Sequence, residues 1–106
     1  MLIKNGGYID TIDRNCNTPL HIAVSHNCEG VAEILLRNGA NVNAQGAYDC
    51  TPLHIAVIKG NKRIVELLLK KQANVHLKAC YNNTILTALD IAKANKNKEL
   101  EHLLLT

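Results

Sequence analysis

Apolar residues recur along this chain in short blocks at helical spacing, and the blocks come in pairs. Leu20, Ala23 and Val24 share one face of a helix that Thr18 caps and Pro19 opens, a position where the missing N–H of proline costs nothing. That helix ends near Ser25-His26-Asn27. Its companion is expected from Glu29 to Asn38, with Val31, Ile34, Leu35 and Leu36 inward and Glu33 and Arg37 outward. Gly39 then supplies the left-handed residue that terminates it. A second pair is predicted over Pro52–Lys59 and Lys62–Lys71, separated by Gly60-Asn61 and burying Ile64, Val65, Leu67, Leu68 and Leu69. A third runs over Ala88–Asn95 and Asn97–Leu105.

The pairs are copies of one another. Thr18-Pro19-Leu20-His21-Ile22-Ala23-Val24 returns residue for residue at Thr51-Pro52-Leu53-His54-Ile55-Ala56-Val57, 33 positions on. A weaker copy, Thr87-Ala88-Leu89-Asp90-Ile91-Ala92, follows after 36, one period plus three inserted residues. A 33-residue period carrying T-P-L-H-x-A is the general signature of ankyrin repeats, and the chain resembles that family from end to end. The resemblance implies an all-α fold, an ankyrin-repeat solenoid of helix–turn–helix units with β-hairpin-like fingers, forming one domain over residues 1–106. Within it, 13–45 reads as the first full repeat, 46–78 as the second and 79–106 as a C-terminal capping repeat. Residues 1–12 read as the remnant of a preceding repeat, since Leu2 to Asp10 align with Leu35 to Asn43. Either the chain is a piece of a longer array or it begins inside a repeat. The stretch Ala44 to Cys50 is expected to form a projecting finger.

Departures from the repeat are as informative as matches. Gln72 stands where Gly39 ends the earlier helix, so it is expected in the same left-handed conformation. Lys93 replaces Val24 and Val57, and Glu101 replaces Ala32 and Val65, which puts charge where a following repeat would stack. The C-terminal end is therefore a cap. The N-terminal end has no polar equivalent, with Leu20 and Val31 covered only by Leu2-Ile3, and self-association there is expected.

Composition narrows the class. Apolar residues make up 47% with no Trp or Phe and three Tyr, which suits small interlocking helices. No apolar run is long enough for a membrane span or a signal peptide, which leads to the expectation of an intracellular, cytoplasmic protein. The net charge of +3 is uneven: residues 1–53 hold three Lys/Arg against five Asp/Glu, and residues 54–106 hold nine against four. Cys16, Cys28, Cys50 and Cys80 show neither C-x-x-C nor zinc spacing and read as free thiols. Asn82-Asn83-Thr84 is formally a glycosylation acceptor but has no meaning without secretion.

Candidate chemistry is sparse. Cys16 with His21 and Cys50 with His54 differ in spacing and lack a metal-binding motif, and no phosphate loop is present. No metal, cofactor or catalytic residue is assigned. By resemblance, Thr18, Pro19, Leu20, His21, Thr51, Pro52, Leu53 and His54 are structural, with each histidine bonding locally and joining neighbouring repeats. The resemblance also implies a non-catalytic module that binds another protein through its fingers and first helices. Tyr48 and Tyr81, 33 apart, are expected side by side on finger tips at positions outside the core. Ile58 at the exposed end of a first helix and the inserted Ile85-Leu86 extend that surface, and Lys59 and Lys71 form a charged rim. Ile85 and Leu86 equally fit a place inside the last repeat interface. The other reading is a binder of nucleic acid or another acidic surface using Lys59, Lys62, Arg63, Lys70, Lys71 and Lys78 of the second repeat, against which stands the near absence of interleaved aromatics.

Overall fold

A computed structural model describes Arg14, residues 16–81 and residues 83–105. The expected remnant at 1–12, with Leu2-Ile3, lies outside the described residues. Among the described residues the chain forms helices α1 (Pro19–Ser25), α2 (Glu29–Arg37), α3 (Pro52–Lys59), α4 (Lys62–Lys70), α5 (Ala88–Ala94) and α6 (Lys98–Leu105). A short 3₁₀ turn occupies Ala47–Asp49, and strands β1 (Lys78–Tyr81) and β2 (Thr84–Thr87) precede α5. The helices match the apolar blocks to within a residue at each end. The described chain is mostly helical, as expected, and adds one small two-stranded sheet in which β1 and β2 pair antiparallel.

Helix starts are fixed by one repeated device. At α1 the Thr18 hydroxyl oxygen accepts from the His21 backbone N–H (3.4 Å), and His21 Nδ1 accepts from the Thr18 N–H (3.1 Å). Thr51 and His54 repeat both bonds at α3 (3.3 and 3.2 Å). At α5, Thr87 and Asp90 do the same through a carboxylate (3.2 and 3.1 Å). Each is a capping box, in which the cap residue and the third helical residue satisfy one another's exposed amides. Asn61 and Asn97 cap α4 and α6 by accepting from Ile64 and Leu100 N–H, each at 3.2 Å.

Helix ends are equally uniform. Asn27, Gly39, Gly60, Gln72 and Lys96 all have φ between 56° and 91°. The amide two places beyond each helix's last full turn returns to a carbonyl five residues earlier, as Ala40 N–H does to Leu35 (3.0 Å) and Ala73 N–H to Leu68 (3.0 Å). Only two of these five left-handed positions carry glycine. Gln72, at φ 66°, holds the conformation expected from its alignment with Gly39.

Packing follows the repeat. First helices form one row, α1 on α3 and α3 on α5, and second helices another, α2 on α4 and α4 on α6. Between them lie Leu20, Leu35, Leu53, Ile64, Leu68, Ile91 and Leu100, all essentially without solvent exposure. Leu20 is therefore buried rather than open at the N-terminal end. Val31 and Ile34, expected inward, are instead 36% and 40% exposed. They lie on the flank of α2 that a preceding helix pair covers in later copies, and among the described residues no helix precedes α1. Leu67 and Leu69 are half-buried.

Polar ties cross the repeat boundaries. The second ring nitrogen of each histidine reaches the residue just before the next copy of the motif. His21 Nε2 lies 2.8 Å from the Cys50 carbonyl and His54 Nε2 3.3 Å from the Leu86 carbonyl. Carbonyls only accept, so Nε2 carries the proton. Backbone amides only donate, so Nδ1 is bare. The bonds thus require the neutral ring. Asn74 N–H donates to Asn43 Oδ1 (2.7 Å), Asn61 Nδ2 to Asn27 Oδ1 (3.3 Å), and Lys62 pairs with Glu99 across α4 and α6 (3.1 Å).

Two outcomes follow from these caps and ties. Gln72→Gly removes the cost of a Cβ at positive φ and is expected to raise stability by up to about 1 kcal/mol, read as a higher denaturant midpoint at unchanged slope. Burial pushes the His54 pKa below its ordinary 6.5, against smaller opposing effects of the Leu86 and Leu77 backbone. The unfolded chain then binds the proton more readily, so the stability tied to neutral His54 is present above about pH 6.5 and is lost progressively as pH falls from there through the lower pKa of the folded chain. Denaturation midpoints measured from about pH 8 down to about pH 5 are expected to drop more steeply for the parent than for His54→Gln.

Candidate functional site

The fingers lie between the helix pairs, and each is fastened to its neighbour. Ala47 N–H donates to Asn17 Oδ1 of the preceding loop (3.3 Å), and Gln45 Nε2 donates to the Lys78 carbonyl of the following strand (3.3 Å). Gly46 N–H closes the second finger on the Cys50 carbonyl (2.7 Å). This finger, expected to resemble a hairpin, is a 3₁₀ turn without strand pairing. Its tip residues Tyr48 and Asp49 both have positive φ, 57° and 61°.

The third finger differs because of its three extra residues. β1 packs beside the Ala47–Asp49 turn, and β2 returns along the far side of β1. The register pairs Ala79 with Leu86 and Cys80 with Ile85. Alternation along a strand then decides which side chains turn inward. Ala79 is buried and Leu86 half-buried on one face, whereas Cys80 and Ile85 are exposed on the other. The inserted pair is thus split between the two fates that sequence left open.

Alternation also corrects Tyr81. Two residues from Ala79, it turns inward and packs half-buried against the core, rather than standing on a tip beside Tyr48. Ile58 is likewise half-buried against the core instead of exposed. Tyr48 is 76% exposed and Ile85 70%, the two most exposed large apolar side chains among the described residues. Lys59 and Lys71 are both exposed. Period-2 alternation over Lys78–Tyr81 was a signal present in the sequence that would have separated Tyr81 from Tyr48.

The remaining polar groups offer little chemistry. Thr18, Thr51, His21 and His54 are buried and engaged in the helix caps. The four cysteines are free thiols. Burial first, then the nearby Cys80 and Asp49, raises the Cys50 pKa and makes that thiol a poorer nucleophile. Among the described residues no three His, Cys, Asp or Glu side chains gather as a metal site. No described helix is long and apolar enough to cross a membrane. The basic set of the second repeat is exposed, but acids interrupt it. Lys62 is paired with Glu99, and Arg63 shares a shallow groove with Glu29 and Glu33.

Residues 23–69, from within α1 to the last turn of α4, match the family model of ankyrin repeats (many copies). That segment is similar to ankyrin repeats. Such repeats are in general protein-interaction modules and generally not catalysts. No curated protein matches the chain.

Tyr48 and Tyr81 separate into a surface role and a core role. Tyr81→Ala is expected to lower unfolding free energy by about 1–2 kcal/mol, and Tyr48→Ala to leave it within about 0.5 kcal/mol. Urea titrations of the two variants check the contrast.

Proposed function

We propose that this protein is a non-catalytic interaction module that grips another protein along its finger row, with Tyr48 and Ile85 as the apolar contacts. The observation that carries the reading is Tyr48 itself. A bulky aromatic residue at φ 57° on a tip, 76% exposed, contributes nothing visible to the fold and occupies a backbone conformation that disfavours it. Tyrosine presents rigid contact area with a polar end and is enriched among interface hot spots. Ile85 extends the patch two strands away, and Lys59 and Lys71 are available as a charged rim. Tyr81, Leu86 and Ile58 support the row from beneath rather than meeting the partner. Self-association through the N-terminal end belongs to a different surface. The free thiols suit an intracellular setting.

The alternative, an acidic partner or nucleic acid held by the second repeat, is weakened by the acids set among its lysines. It demands a steep loss of affinity with salt. The finger-row reading demands salt-tolerant binding that depends on side-chain area. With the partner recovered by affinity capture and identified, Tyr48→Ala combined with Ile85→Ala is expected to weaken binding by about 2 kcal/mol or more at an unchanged unfolding midpoint. Unchanged affinity in the folded double variant would remove the fingers as the site.

A further inference from the structure

The first junction between fingers is a template for the second. There the Asn17 side chain reaches across to the next finger and accepts from the Ala47 N–H (3.3 Å). One period of 33 residues later, the same two positions hold Cys50 and Cys80. Backbone contacts keep this second junction equally close. β1, which carries Cys80, packs beside the Ala47–Asp49 turn that Cys50 ends. Gln45 Nε2 donates both to the Asp49 carbonyl (3.2 Å) and to the Lys78 carbonyl (3.3 Å), so the residue before Cys50 is clamped to the strand of Cys80. Burial, then the nearness of Cys80, raises the Cys50 pKa. Both thiols are free, with Cys80 exposed and Cys50 half-buried.

We propose that Cys50 and Cys80 form a reversible disulfide that fastens the second finger to the β1–β2 hairpin in the presence of a peroxide. A disulfide spans about 5–6 Å between Cα atoms, a separation that directly neighbouring segments offer. Cys80, the exposed member, reacts first. Its sulfur attacks hydrogen peroxide, the O–O bond breaks and water leaves, which gives a sulfenic acid. The Cys50 sulfur then attacks the Cys80 sulfur, the S–S bond forms, the S–O bond breaks, and the oxygen departs as a second water. Two thiols and one peroxide thus become one disulfide and two waters, and a dithiol reductant reverses the change. In reducing surroundings such bonds are transient and serve as sensors. Tyr48 lies two residues before Cys50, and Ile85 is the cross-strand partner of Cys80. The bond therefore joins the two most exposed apolar side chains of the fingers in one covalent frame. Any effect on a partner rests on the finger-row reading, whereas the bond itself forms in the chain alone.

The full reduced chain treated with one equivalent of hydrogen peroxide, then mapped by mass spectrometry, tests this. The expected product is a monomer with Cys50 linked to Cys80, restored to free thiols by dithiothreitol, and with a higher denaturant midpoint than the reduced chain. Cys16→Ser with Cys28→Ser is expected to form the same bond. Cys50→Ser is expected to leave Cys80 as a sulfenic acid that dimedone traps. Peroxide that drives Cys80 past the sulfenic acid while Cys50 stays free would overturn the proposal. So would bonds that involve Cys16 or Cys28 or only link separate chains, and so would a Cys50–Cys80 bond that lowers the midpoint, because the fold would then not hold the two positions in bonding register.

Discussion

One neutral imidazole does two jobs in each full repeat, and the arrangement of the chain depends on it. Its Nδ1 closes the capping box with Thr18 or Thr51, and its Nε2–H reaches a carbonyl 29 or 32 residues away. A helix of seven or eight residues is too short to persist in water on propensity alone. Packing supplies most of what is missing, and the ring couples that packing to the helix start. Local helix formation and the docking of the next unit are thereby satisfied by the same side chain. In the third copy Asp90 keeps the cap through its carboxylate but lies exposed.

This coupling explains why much of the fold was legible in the sequence. Thr-Pro-Leu-His is at once a helix start, a repeat marker and an inter-unit tie, so identical residues force identical geometry. Gln72 was readable for a related reason. The hydrogen bonds of the helix end impose the left-handed turn whatever residue sits there, as Asn27 and Lys96 also show. What remained illegible depended on neighbours rather than on pattern. Helical spacing marks Val31 and Ile34 as apolar-face residues, but it says nothing about whether anything lies against that face.

The fingers were read less well, and for a different reason. Tyr48 and Tyr81 occupy equivalent places in the period, yet the backbone around them differs. The tip at Tyr48 is a turn with two left-handed residues, and Tyr81 belongs to a strand whose pleat aims it at the core. Equivalence of position transferred the helix geometry faithfully because packed neighbours hold the helices. It did not transfer the finger geometry, which is set by loop length and by the hairpin that three more residues permit. Hence Tyr48 and Ile85 alone of the expected apolar surface stand exposed, and Tyr81, Leu86 and Ile58 are half-buried against the core.

Those three residues have a consequence for how such a chain can change. They lengthen the interval between motifs from 33 to 36, yet α5 docks on α3 as α3 docks on α1, and His54 reaches Leu86 as His21 reaches Cys50. All of the added length is absorbed at the hairpin, around Asn83 at φ 63°, where the chain is exposed. Length at this tip is thus uncoupled from the register of the helices. Foreign segments can be grafted there, or a lineage can gain and lose residues there, and the scaffold behind will carry a new outline without being redesigned.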